Sequence, residues 1–253
     1  MKIIVLVKSV PDAQFEQNFS SKNTVDRSEV ILSELDEYAI EEALSLASEN
    51  DETIALTMGP ENAGKAVKKA LQMGIDSGVH LHDEALEGAD SYLTAQALAA
   101  AIEKFENVGV VLTGMASTDA EMSVIPAMLA EILNFSQVTM VSELSISGTD
   151  VSATRQREIA TEKLEAKLPA VISVTDQLNT PRYPNFKGIL AAKKKEIQKI
   201  TLEDLGMNNP ESLTVVDSVE KKPEREQGTI IADKGDGEVV RQLVDFLEEK
   251  NLV

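Results

Sequence analysis

From Lys2 onward, short apolar runs alternate with segments whose apolar positions recur at helical spacing. KIIVLV (2–7) is a continuous β-branched run, the pattern of a strand buried on both faces. DEYAIEEALSLASE (36–49) places Ile40, Ala43, Leu44 and Ala47 on one helical face. ETIALTM (52–58) reads as the next strand. GPENAGKAVKKALQMG (59–74) reads as a helix with Pro60 at its first position and Gly74 at its stop. Its stripe is Ala63, Ala66, Val67, Ala70 and Leu71. SGVHLH (77–82) is a third strand. DSYLTAQALAAAIEKF (90–105) is a helix capped by Asp90 or Ser91 that packs Ala97, Leu98, Ala101, Ile102 and Phe105. VGVVLTG (108–114) is a fourth strand, VIPAMLAEIL (124–133) a helix with Ile125, Met128, Leu129 and Ile132 on its apolar face, and SQVTMVSEL (136–144) opens another strand. This alternation implies an α/β fold, doubly wound about a mostly parallel sheet. In such folds ligands sit beyond the carboxyl ends of the strands.

After Ser142 the period changes. Residues 143–174 show strand-like alternation with a Gly148–Thr149 turn and an apolar strand at 170–174. A polar stretch rich in Lys, Pro and Glu at 221–227 reads as an extended linker. A last amphipathic helix over 237–250 carries Val240, Leu243, Val244 and Leu247, a stripe that its own domain or a partner subunit must cover. The expected division is an α/β domain over 1–220 and a C-terminal arm over 221–253.

Composition removes several chemistries. The 253 residues include no Cys, which excludes disulfides, thiolate metal sites and a cysteine nucleophile. The two histidines, His80 and His82, have no third ligand at matching spacing, and no metal site is expected. The opening apolar run is too short for a signal segment or a membrane span, and no later run is longer. A net charge of −19 argues against nucleic-acid binding and against association with anionic membranes. The expectation is a soluble, cytoplasmic protein with no direct membrane insertion.

Three stretches are candidates for chemistry. TGMASTDAEMSVIPAM (113–128) follows an apolar strand with a Gly, small hydroxyl residues and a helix start, an arrangement whose backbone N–H groups can hold a phosphate. Thr118 to Glu121 also fits a capping box, but that would set Pro126 inside the helix, at a cost of roughly 3 kcal/mol. A start near Ser123 puts Pro126 in the first turn and frees the loop. Lys8, after the first strand, faces the same edge. The acidic cluster Glu34, Asp36, Glu37, Glu41 and Glu42 reads mainly as first-turn carboxylates that complement the helix dipole and face water. No P-loop, Rossmann fingerprint, nucleophile elbow or triad is present, so no catalytic residue is assigned; a cofactor would carry any chemistry.

LPAVISVTDQLNTPRYPNFKGILAAKKK (168–195) joins an apolar strand, an Asn-x-Pro-Arg-Tyr element, a proline-bracketed apolar segment and a lysine triplet. In that order these closely resemble the signature segment of the β subunit of electron transfer flavoproteins. KIIVLVKSVPD, DEYAIEEAL, GPENAGKAVKKALQMGID, TGMASTD and LEDLG resemble the family at corresponding places, so the likeness covers almost the whole chain. It implies an adenine-nucleotide-hydrolase-like fold and a heterodimer with an α subunit that holds most of one FAD. It also implies an AMP on the β subunit that serves structure. Electrons would pass from flavin dehydrogenases to a quinone oxidoreductase or another acceptor. The segment at about 176–192 resembles the recognition loop, with Phe186 at the anchor position and Tyr183, Pro184 and Ile189 beside it. Glu158 matches an acidic position that relatives use to hold this loop or to gate domain movement.

Carried over position by position, the AMP site comprises Leu6, Ser33, Glu34, Leu35, Asp36 and Met58. It also comprises Gly114, Met115, Ala116, Ser117, Thr118, Asp119, Ala120, Glu121, Met122, Ser123, Val124 and Ile125. There are departures. Many relatives have Asn-Pro before the acidic helix, where this chain has Ser33 and Glu34. Many have Asp-Gly-Asp-Thr-x-Gln in the phosphate loop, where this chain has Asp119 to Val124 and no Gln. Alternatives from other classes are a nucleotide sensor of the universal-stress-protein type and a subunit of a flavin-bifurcating complex with a second FAD.

Overall fold

The computed structural model describes residues 1–12, 14–16, 18–20, 23–208, 210–223, 227–233, 235 and 237–253. In chain order the elements are β1 (Lys2–Leu6), β2 (Ser9–Val10), β3 (Ile31–Leu32), α1 (Glu34–Leu46), β4 (Glu52–Met58), α2 (Gly64–Met73) and β5 (Ser77–Leu81). There follow α3 (Ser91–Ile102), β6 (Val108–Gly114), α4 (Ile125–Leu133), β7 (Ser136–Val141), β8 (Glu143–Ser147), β9 (Asp150–Gln156) and β10 (Thr161–Lys167). The last are β11 (Ala170–Val174), α5 (Phe186–Ala192), β12 (Ile197–Ile200) and α6 (Glu238–Glu249).

Seven strands form one sheet in the order β12-β5-β4-β1-β6-β11-β7. All of its pairings are parallel. The apolar run of β1 explains the two-sided architecture. Ile3 and Val5 enter a core with α1 and α2, while Ile4 and Leu6 enter the opposite core with α3 and α4. Because successive side chains point to opposite faces and both are covered, the strand is apolar throughout. The expected α/β fold, doubly wound about a parallel sheet, is the one observed. From β1 the chain winds outward through β4 to β5, then crosses back to lay β6 on the other side of β1. The crevice between β1 and β6 is therefore the switch point where such folds bind ligands.

β8, β9 and β10 form an antiparallel three-stranded meander inserted between β7 and β11. Its outer strands alternate between exposed and half-buried positions, as befits a sheet covered on one face.

One helix start and one buried face differ from expectation. Pro60 precedes a short 3-10 turn (Glu61–Ala63), and α2 begins only at Gly64. In α4 the buried residues are Pro126, Leu129 and Ala130, while Ile132 is exposed. The helix begins at Ile125, so Pro126 lies in the first turn, where its missing N–H costs nothing and its ring packs inward. The Thr118–Glu121 capping box does not form, because Glu121 has a left-handed backbone (φ 51°).

The chain divides into two compact units, Met1–Asp217 and Ser218–Val253. In the second, α6 buries none of its residues, and Val240, Leu243, Val244 and Phe246 are exposed. Of the expected linker, residues 224–226 lie outside the described residues, and the rest has no regular secondary structure. No helix among the described residues is long and apolar enough to cross a membrane.

Candidate functional site at the switch point

A cavity of about 550 Å³ opens at the carboxyl ends of β1, β4 and β6. Leu6, Leu56, Met58, Leu98 and Ile125 make an apolar wall. The rest of the lining includes Lys8, the first turn of α3 with Ser91 and Thr94, and residues of the loop from Gly114 to Ser123. An apolar slot with a few convergent polar groups is the usual form of a small-ligand site.

The polar end is organised by two carboxylates. Asp119 has a side chain only 1% exposed and pairs with both Lys8 Nζ (2.8 Å) and Arg27. Burial alone would raise its pKa, but the Lys8 and Arg27 charges outweigh that and hold it at about 2. Lys8 Nζ also donates to Ser117 Oγ at 3.3 Å. Two cations thus face the Asp119 carboxylate, while Asp36 and Asp90 line the same cavity. Asp36 is buried below the same edge, where its Oδ2 accepts the Lys8 backbone N–H at 2.7 Å. Desolvation raises its pKa to about 7, against the Lys8 and Gly114 N–H groups and the Lys8 charge, which lower it; Asp119 raises it further.

The loop carries backbone conformations rare for residues with a Cβ: Glu121 at φ 51° and Ser123 at φ 57°. Non-glycine residues held there cluster at ligand clamps and active sites, where the surroundings over-determine them. Gly114 allows the loop to leave β6 tightly, since a Cβ there would lie 2.8 Å from Asp36 Oδ1 and 3.0 Å from the Leu35 backbone. Gly114→Val is accordingly expected to lower stability by about 1–3 kcal/mol through overpacking and to close the cavity's polar end. Thermal melting together with ligand titration checks both effects.

Of the residues assigned from sequence, Leu6, Asp36, Met58, Gly114, Met115, Ala116, Ser117, Ala120, Met122, Ser123, Val124 and Ile125 line the cavity. Ser33, Glu34, Leu35, Thr118, Asp119 and Glu121 do not. Ser33 precedes α1, Leu35 backs Gly114, and Asp119 sits behind Lys8. Arg27, Asp90, Thr94, Thr214 and Val216 were missed. Arg27 and Thr214 lie in stretches without a helical or strand period, which left no pattern to read. The acidic cluster also departs from expectation, because Asp36 and Glu42 are buried rather than turned to water. Glu42 accepts from Asn179 Nδ2 at 3.2 Å, and burial raises its pKa.

A second surface surrounds α5. Arg182 Nε and Nη2 grip Glu41 bidentately at 2.7 Å each, and Asn179 Nδ2 reaches the Tyr38 carbonyl at 3.1 Å. Asn185 caps α5 through the Gly188 N–H (2.8 Å). Gly188 is pressed to α2 so closely that a Cβ would meet the Gln72 carbonyl at 2.4 Å. The pinned segment nevertheless leaves Tyr183 90% and Phe186 75% exposed, with Pro184 and Ile189 half-buried beside them. Glu158 is exposed in the turn between β9 and β10, next to Ile159.

Fold and cavity together define an α/β protein with a cleft at the switch point of a doubly wound parallel sheet. Residues 23–205 match the family model described as electron transfer flavoprotein domain. The chain is 38% identical to an electron transfer flavoprotein subunit beta of Mycobacterium leprae, with 99% of each chain covered. It is 32% identical to the protein of the same name in Bacillus subtilis (99% and 98% covered). It is 33% identical to the Caffeyl-CoA reductase-Etf complex subunit CarD of Acetobacterium woodii, over the full length of both. The chain belongs to the electron transfer flavoprotein family, flavoproteins that carry electrons between dehydrogenases and acceptors. Membership sets aside the stress-protein-type sensor.

Proposed function

We propose that this chain works as the β subunit of a cytoplasmic heterodimer. An α subunit holds most of a single FAD, flavin dehydrogenases supply the electrons, and a quinone oxidoreductase or another acceptor removes them. The likeness to β subunits over the whole chain carries this proposal. Flavin supplies the redox chemistry. The chain itself turns over no substrate and contributes binding, orientation and docking.

In this proposal AMP occupies the switch-point cavity, and the residues present fit it. The apolar wall suits a purine. The paired cations Lys8 and Arg27, with the N–H groups of the 114–123 loop, suit a phosphate. The flavin-bifurcating alternative has one supporting observation, the likeness to CarD. Nucleotide extraction from the purified complex separates the two: AMP supports the structural nucleotide, and a second FAD supports bifurcation.

Tyr183 and Phe186, with Pro184 and Ile189 beside them, form the dehydrogenase-docking segment in this proposal. Glu158 steers domain movement from the small sheet. Residues 221–253 form an arm whose α6 covers its apolar side chains on the α subunit. Truncation after Val219 is then expected to leave the α/β unit folded and to weaken assembly by at least about 100-fold. Subunit affinity measured by titration checks this, and an unchanged value would exclude the arm.

A further inference from the structure

We propose that Asp90 latches residues 212–217 as a strap across the mouth of the switch-point cavity and so sets how long a nucleotide stays there. This rests on the nucleotide reading above. The two carboxylate oxygens divide the work. Oδ1 accepts the Leu93 N–H at 2.9 Å and caps α3. Oδ2 accepts Leu213 N–H (2.8 Å), Thr214 N–H (2.9 Å) and Thr214 Oγ1–H (3.1 Å), while the Asp90 N–H donates to Ser212 Oγ (3.0 Å). These donors, Leu93 N–H foremost, hold the carboxyl below the ordinary aspartate range, so it keeps its charge.

At its far end the strap is tied by Asn23, whose Nδ2 donates to the Asp217 carbonyl at 3.0 Å. Between the two anchors Thr214 and Val216 line the cavity, Val216 still 59% exposed, and Leu213 and Val215 are 72% and 90% exposed. None of residues 212–217 is buried. A segment with none of its residues buried opens locally at far lower cost than the domain unfolds. Asp90 and Asn23 therefore control the opening through which a ligand leaves.

Asp90→Asn separates latch from cap. Asn caps a helix as well as Asp does, so Oδ1 still receives Leu93. An amide NH2 in place of Oδ2 has nothing to accept the strap's donors with. In the purified heterodimer, amide hydrogen exchange at Leu213 and Thr214 should accelerate at least tenfold while α3 keeps its protection. Dissociation of AMP, followed by chase with unlabelled nucleotide, should accelerate at least tenfold. Asn23→Ala, at the other anchor, should do the same and serves where the first variant melts early. Wild-type protein that binds no AMP would overturn the nucleotide reading and with it the strap's retaining role. Wild-type binding with unchanged AMP release in both variants would overturn the strap alone.

Discussion

Phe186→Ala is expected to leave the melting temperature and the flavin content of the complex unchanged, while affinity for partner dehydrogenases falls about 30-fold to 1,000-fold. Phe186 is 75% exposed, so truncating it opens no cavity in its own domain. A buried core Phe would instead lose roughly 3–5 kcal/mol of stability. In the proposed role it inserts into a partner pocket, where an aromatic anchor typically contributes about 2–4 kcal/mol. The segment loses little freedom on docking. Arg182 on Glu41, Asn179 on the Tyr38 carbonyl and Gly188 against Gln72 hold it in place beforehand. The check is paired: thermal melting, and dehydrogenase-driven flavin reduction set against reduction by dithionite. A large fall in melting temperature, or undiminished reduction by the dehydrogenase, would contradict the anchor role.

Asp36→Asn is expected to change the pH dependence of stability by about 3 kcal/mol between pH 5 and pH 8. The folded state holds the Asp36 carboxyl at a pKa of about 7, against 3.8 for a free aspartate side chain. Between those values the folded protein keeps a proton that the unfolded chain has lost. Stability therefore falls as pH rises from about 4 to about 7 and is level beyond. Asp119, held at about 2, works below that window and with the opposite sign, adding stability that is lost only as pH falls below about 4. Burial lowers the His80 pKa, so His80 adds stability as pH rises toward its unfolded value, against the Asp36 slope. Burial raises the Glu42 pKa, which adds a slope of the Asp36 sign. Comparing wild type with the Asn variant cancels both. The variant's advantage at pH 8 over its advantage at pH 5 is the quantity to measure by denaturant titration. An equal difference at both pH values would mean that Asp36 is ionised throughout.

How much of this was legible in the sequence depends on how far apart the interacting residues lie. The strands at 52–58 and 108–114 were read to the residue, because each is an apolar run bounded by turn signals and covered on both faces. That Gly114 and the loop after it stand at the strand end beside the cavity was legible for the same reason. The carboxylates of α1 were not. Asp36 meets the Gly114 loop, Glu42 meets Asn179, and Glu41 meets Arg182, partners 137 to 141 positions away for the last two. No helical period carries that information, so a buried Asp and a solvated one look alike. Asp90 shows the same limit in sharper form. Its cap on α3 is local and was anticipated, whereas its hold on Thr214 spans 124 positions and was invisible. The first-turn place of Pro126 was legible, but its inward packing was not, and Ile132 is exposed where helical spacing puts it on the apolar face.

The most direct test of the whole is the flavin and nucleotide content of the complex purified through a tag on this chain. A yellow complex with an α subunit, one FAD per pair and AMP in the acid extract is the expected result. A colourless chain that retains no second subunit would contradict it.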